Sequence, residues 1–230
     1  MQTCVYLSYK GLGANLLHLA YCHEIAKKFG PITIITLCKN LEQAVKEDPL
    51  IQRVVFIDQY QKRLVDILKL RSFLNTFNFT QIFIFYPSLR LYLASILSNI
   101  KIVYCYSIFK KNNLHLVEVA KQFTEKNLKI DNCPTETNFF IKKSKIEEVN
   151  KSFDSKKFKI IIGAGSSGPT TKWGSVNFSS LINKLNDTGN YLFFILCGPD
   201  DQNLSKEIMN KVKKDNCLPL YNKKIEEVIP

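Results

Sequence analysis

No run of apolar residues in this chain approaches the length that a membrane-spanning helix requires. The longest, Ile82 to Pro87 and Tyr191 to Cys197, hold six and seven residues, against about 20 for a helix that crosses a bilayer, and they read as buried strands. Met1 to Tyr9 lack a basic segment, a long apolar core and a small-residue cleavage site, so no secretory leader is expected and a cytoplasmic protein is predicted. The seven cysteines include no CxxC pair and no metal-ligand spacing, which predicts reduced, mostly buried thiols and no metal site. The nucleotide motif GxxxxGK(S/T) does not occur. The three histidines, His18, His23 and His115, fall on predicted helices with no Ser or Cys nucleophile pattern nearby, and ordinary core or surface roles are expected of them.

What the chain does have is enough apolar material, 46% of 230 residues, for one large core or two modest ones. Its formal charge of +12 would attract phosphates, nucleic acid or an anionic membrane. The lysine pairs Lys27-Lys28, Lys110-Lys111, Lys142-Lys143 and Lys156-Lys157 are spread along the whole chain, as on a solvated surface rather than a nucleic-acid stripe. No nucleic-acid partner is expected.

Strand-like and helical patterns alternate. Thr3 to Ser8 is β-rich, Gly11-Leu12-Gly13 breaks it, and Asn15 to Phe29 has apolar residues at helical spacing. Ile32 to Leu37, Arg53 to Ile57, Gln81 to Tyr86 and Lys101 to Tyr106 are further strands, with helices at Gln61 to Phe77, Ser88 to Leu97 and Leu114 to Asn127. Continuous apolar strands separated by helices predict a parallel sheet covered on both faces, a doubly wound α/β domain over residues 1–131. A polar connection, 132–156, with a short helix at Lys145 to Phe153, leads to a second α/β region, 157–230. There strands at Lys159 to Gly163, Tyr191 to Leu196 and Cys217 to Leu220 alternate with helices at Phe178 to Leu185, capped by Asn177, and Asn203 to Lys213. With about three strands where five or six are usual, this second domain is expected to be truncated.

Three turns are candidates for chemistry. Gly163 to Gly174 lies between a strand and a helix, where backbone N–H groups and the helix dipole favour a phosphate, and Ser166, Ser167, Thr170, Thr171 and Lys172 add hydroxyls and a cation suited to a diphosphate. A polar loop without a ligand is the alternative. Gly11-Leu12-Gly13-Ala14-Asn15 is a second glycine turn at the C-terminal end of a strand, where open α/β sheets bind ligands, or else a tight turn only. Cys197 to Asp201 follows a third strand; its carboxylates would meet sugar or ribose hydroxyls, or cap the helix that follows. Trp173, the one tryptophan, is expected to pack this loop on its helix.

These parts, in this order, resemble glycosyltransferase family nine, the ADP-heptose:lipopolysaccharide heptosyltransferases. The likeness is carried by Gly11 to Leu17, by Gly163 to Gly174 with Phe178, Leu181 and Ile182, and by Leu192 to Asp201. It implies a GT-B-like fold of two doubly wound, Rossmann-like parallel-sheet domains: an acceptor-side N-terminal domain with Gly11, Gly13 and Asn15 on its loop, and a donor-side C-terminal domain. It further implies inverting transfer of a sugar, heptose above all, from an ADP-sugar to lipopolysaccharide or another cell-envelope glycan, with no cofactor or metal. Ser166, Ser167, Thr170, Thr171, Lys172 and Asp201 would contact the donor. The family's acidic base position is Ala14 here, and a methyl group accepts no proton, so no catalytic residue is assigned. The family's later acidic, Ser or Thr, Gly, His signature has no counterpart, so the chain is expected to lack part of the donor site, as a fragment or a diverged member, and its activity in this form is left open. A non-catalytic nucleotide-sugar-binding remnant is the alternative, followed by a basic protein that binds nucleic acid or anionic membrane. Peripheral attachment at the inner face of the cytoplasmic membrane is left open.

Overall fold

In the computed structural model, which describes residues 2–58, 65–108, 113–153, 156–166, 171–198, 201–221 and 223–228, the strand Thr3–Leu7 (β1) is wholly buried. That suits a run of β-branched and aromatic residues with sheet neighbours on both sides. It pairs in parallel with Ile32–Thr36 (β2) and Gln81–Ile84 (β4), and these pair with Ile51–Phe56 (β3) and Ile102–Cys105 (β5), so the order is β3-β2-β1-β4-β5. Alternate side chains of a strand point to opposite faces, and this sorts two cores. Val5, Leu7, Phe83 and Phe85 pack with residues of the helices Leu19–Phe29 (α2), Leu41–Ala44 (α3) and Leu116–Leu128 (α6). Cys4, Tyr6, Ile82 and Ile84 pack with the helices Val65–Asn75 (α4) and Leu89–Ile96 (α5). The sheet is therefore doubly wound, and its winding reverses at β1.

One local expectation is corrected, and one short element was not anticipated. The helix expected over Asn15 to Phe29 is two, Leu12–Leu16 (α1) and α2. The break follows from hydrogen bonds: the His18 N–H bonds the Asn15 carbonyl, three residues back and 3.0 Å away, while the Asn15 side chain reaches back to the Tyr9 and Gly11 carbonyls. The short α3 escaped periodicity because four residues make barely one turn.

The chain divides into two compact units, Met1–Phe140 and Ile141–Pro230. Of the segment 132–156, the first residues belong to the first unit, where Thr137 Oγ1 donates to the Leu16 carbonyl at 2.8 Å and Cys133 is buried. The helix Lys143–Ser152 (α7) belongs to the second and buries no residue. In that unit Phe158–Gly163 (β6), Tyr191–Leu196 (β7) and Cys217–Pro219 (β8) form a parallel sheet in the order β6-β7-β8. Ser175–Asn186 (α8) and Gln202–Met209 (α9) supply Ile182 and Ile208 to one core with Ile162, Phe193 and Ile195. On the other face of this sheet Ile161 remains 68% exposed. The last helix is Ile225–Val228 (α10). Among the described residues no helix is long and apolar enough to cross a membrane. All seven cysteines are free thiols.

Candidate functional site

The loops that follow β6 and β7 meet at the C-terminal end of the second sheet, and Asp201 joins them. Its Oδ1 accepts from the Lys172 ammonium at 2.7 Å and its Oδ2 from the Ser166 backbone N–H at 3.2 Å. The carboxylate is nearly buried, while the Lys172 side chain keeps 42% of its surface in solvent. The hydrogen bond from Lys172 outweighs burial and holds the Asp201 carboxyl below its ordinary range. Ser166 and Thr171 are hydrogen-bonded through their hydroxyls.

Asp201 stands at the N-cap position of α9 but makes no capping hydrogen bond. Of the two roles expected for the carboxylates after β7, Asp201 therefore does not fill the capping one. It clamps the two loops. Gly165 sits beneath this clamp, and a Cβ there would stand 2.8 Å from Asp201 Oδ2 and 3.3 Å from the Gly198 nitrogen. A Gly165→Ala variant is accordingly expected to push Asp201 off the Ser166 N–H and lose about 1–2 kcal/mol of stability. Denaturant unfolding checks this, and wild-type stability would mean the clamp does not hold the loops.

The helix α8 begins at Ser175, three residues before the expected Phe178, because Gly174 takes φ +87° and turns the chain into it. Asn177 is not its cap. That side chain donates to the Trp173 carbonyl at 2.7 Å, and Gly174, at the N-cap, has no side chain to cap α8, so among the described residues no side-chain cap meets its first-turn N–H groups. Trp173 packs edge-on against Phe178 as expected, with ring centroids 5.0 Å apart, yet is half exposed. The site thus presents a cation, hydroxyls and an uncapped helix start together, which suits an anionic ligand. Ser167 and Thr170 lie outside the described residues.

In the first unit the glycine loop follows β1, where the winding of the sheet reverses, the usual ligand position in open α/β sheets. Gly11 and Gly13 are exposed. Asn15 is not. It is 1% exposed, donating to Tyr9 and Gly11 carbonyls at 2.9 and 2.7 Å and accepting from Thr36 Oγ1 at 2.7 Å. Its amide braces the loop from within. Ala14 offers its carbonyl to His18 Nδ1 at 2.7 Å.

Sequence reasoning missed His18 as a special position. The ring is fully buried, stacked on Tyr9 and edge-on to Phe85, and its Nε2 has no hydrogen-bond partner among the described residues. Burial holds its pKa down at about 4 against the Ala14 hydrogen bond. It also missed the buried pair of His23 Nε2 and Asp48 Oδ2, 2.6 Å apart, whose other oxygen accepts from the Leu50 N–H. Only the apolar spacing of the two histidines in α2 and its approach hinted at burial. His115 accepts from the Val117 N–H as the cap of α6.

No family model matches the sequence, and no curated protein matches it either. Solved structures do share its fold. Over 96% of this chain and 69% of the other, it superposes on a glycosyl transferase family 9 protein from Veillonella parvula DSM 2008 with a TM-score of 0.72 at 13% identity. The ADP-heptose lps heptosyltransferase II of E. coli matches over 99% of this chain and 75% of its own, with a TM-score of 0.69 at 13% identity. E. coli heptosyltransferase WaaC, solved with ADP-2-deoxy-2-fluoro heptose, matches over 99% and 78%, with a TM-score of 0.66 at 12% identity. The chain has the GT-B-like α/β fold of these transferases, as the family resemblance implied.

Proposed function

We propose that this chain is a sugar-nucleotide-dependent glycosyltransferase whose second unit holds the diphosphate of an ADP-sugar. The observation that carries the proposal is the clamp of Asp201 on Lys172 and Ser166, which sets a partly exposed ammonium beside an uncapped helix start in a chain with a heptosyltransferase fold. The donor sugar we favour is a heptose, and the acceptor a cell-envelope glycan such as lipopolysaccharide, met by the exposed Gly11-Gly13 loop of the first unit. The location that goes with this is cytoplasmic.

In the proposed reaction an acceptor hydroxyl oxygen bonds to the anomeric carbon as the bond from that carbon to the diphosphate oxygen breaks. ADP departs with the electron pair, and the configuration inverts. Lys172 and the N–H groups at the start of α8 stabilise the charge gathering on the diphosphate. The hydroxyl proton passes to solvent water, because Ala14 cannot accept it. Ala14 favours a second reading, a protein that binds the nucleotide sugar without transferring it.

Trp173 gives a direct test, being the only tryptophan and next to Lys172. ADP is expected to change its fluorescence saturably, and UDP to do so more weakly. An unchanged signal together with no heat of ADP binding by calorimetry would sink the proposal. Binding of an ADP-sugar without release of ADP in the presence of acceptor would select the non-catalytic reading.

A further inference from the structure

Helix α5 is built inside out. Its inward positions are Leu91, Ala94 and Ser95, two of them small, whereas its outward ones, Leu89, Leu93 and Ile96, with Leu97 just beyond its end, are large and apolar. These four recur at the spacing of one helical stripe. Helices on a soluble surface show the opposite pattern, with the large apolar residues inward. The neighbouring α4 packs on the same side of the sheet and exposes two more large apolar residues, Val65 and Leu68, both more than half exposed.

The exposed and half-buried charges on these two helices have one sign. Lys69 and Arg71 are exposed on α4, and Arg90 is half-buried on α5. Between residues 65 and 101 the one carboxylate is Asp66, and it is buried. A merely solvated face mixes both signs. An apolar stripe beside unopposed Lys and Arg is the pattern by which a helix lies in the headgroup boundary of an anionic membrane.

We infer that the outer face of the α4–α5 pair docks on an anionic lipid bilayer, with Leu89, Leu93, Ile96 and Leu97 entering the headgroup boundary and Lys69, Arg71 and Arg90 meeting lipid phosphates. The inference stands apart from the transferase proposal, because neither loop of the candidate site takes part. It assigns to one face what the net charge alone would spread over the whole surface.

Co-sedimentation of the full chain with vesicles tests it. The chain is expected to bind vesicles of phosphatidylcholine containing phosphatidylglycerol, to ignore phosphatidylcholine alone, and to be released by salt. The double variants Leu93→Gln/Leu97→Gln and Lys69→Glu/Arg71→Glu should each lower binding about tenfold or more, with melting temperatures unchanged. Lys126→Glu/Lys129→Glu, which reverses two exposed charges at the end of α6 on the opposite side of the same sheet, should change it little. Equal losses from that control would overturn the inference in favour of diffuse charge. Binding that ignores lipid charge, or no binding at all, would overturn it too. So would a dimer in light scattering that the leucine variant abolishes without any vesicle binding, since the face would then meet another protein.

Discussion

Replacing Lys172 by alanine is expected to weaken ADP binding roughly ten- to a hundredfold, the equivalent of about 1.5–3 kcal/mol for hydrogen bonds to a charged group. An ammonium carries three donors, and Asp201 takes one of them. With 42% of the side chain in solvent, the others remain open to a phosphate oxygen without breaking the clamp. The effect should depend on the phosphates. Titration by calorimetry is expected to show a large loss for ADP, a smaller one for AMP and none for adenosine, because the cation meets the diphosphate and not the base. A uniform loss across the three ligands would mean that the variant damages the loop as a whole. Unchanged ADP affinity would remove Lys172 from the donor site.

The succession of strands in the two units was legible in the sequence because each strand carries an apolar run, such as Val54 to Ile57 or Ile160 to Ile162, closed by polar or glycine residues. Ile82 to Phe85, apolar throughout, is buried throughout. The candidate site was legible as a place and not as a mechanism. Gly163 to Gly174 announced a strand-to-helix turn rich in hydroxyls, but that Asp201 would close on Lys172 depends on contacts 29 residues apart along the chain. Read locally, an aspartate just before a helix is a cap; tertiary structure drew its carboxylate elsewhere. Asn15 shows the same limit from the other side. In a glycine turn it looked available to a ligand, yet Thr36, brought alongside by the pairing of β1 and β2, takes its carbonyl oxygen, and the turn's own carbonyls take its amide group. Its role was hidden because a side chain's partners are set by sheet order, which periodicity does not encode.

His18 is the case in which that hidden placement has the largest energetic consequence. Stability is expected to fall by about 3 kcal/mol as the pH drops from about 6.5 to about 4. The sign follows from where the proton can go. Above pH 6.5 the imidazole is neutral in both the folded and the unfolded chain, and the full stability is present. Below it the unfolded chain takes up a proton, whereas the folded chain resists until about pH 4, so the unfolded state binds more protons throughout that window. The resistance is local: Nδ1–H already donates to the Ala14 carbonyl, and Nε2 lies among the rings of Tyr9, Tyr21 and Phe85 with no acceptor among the described residues. A proton there would place an imidazolium in an apolar cage. Urea unfolding at a series of pH values, compared between wild type and His18→Gln, isolates this contribution from every other titrating group. The variant should be less stable at pH 7, having lost the fit of the ring, and should lose less on acidification, so that the two curves converge towards pH 4. Parallel curves would show that His18 does not remain neutral in the folded chain, and that the turn beneath the Gly11 to Ala14 loop tolerates charge.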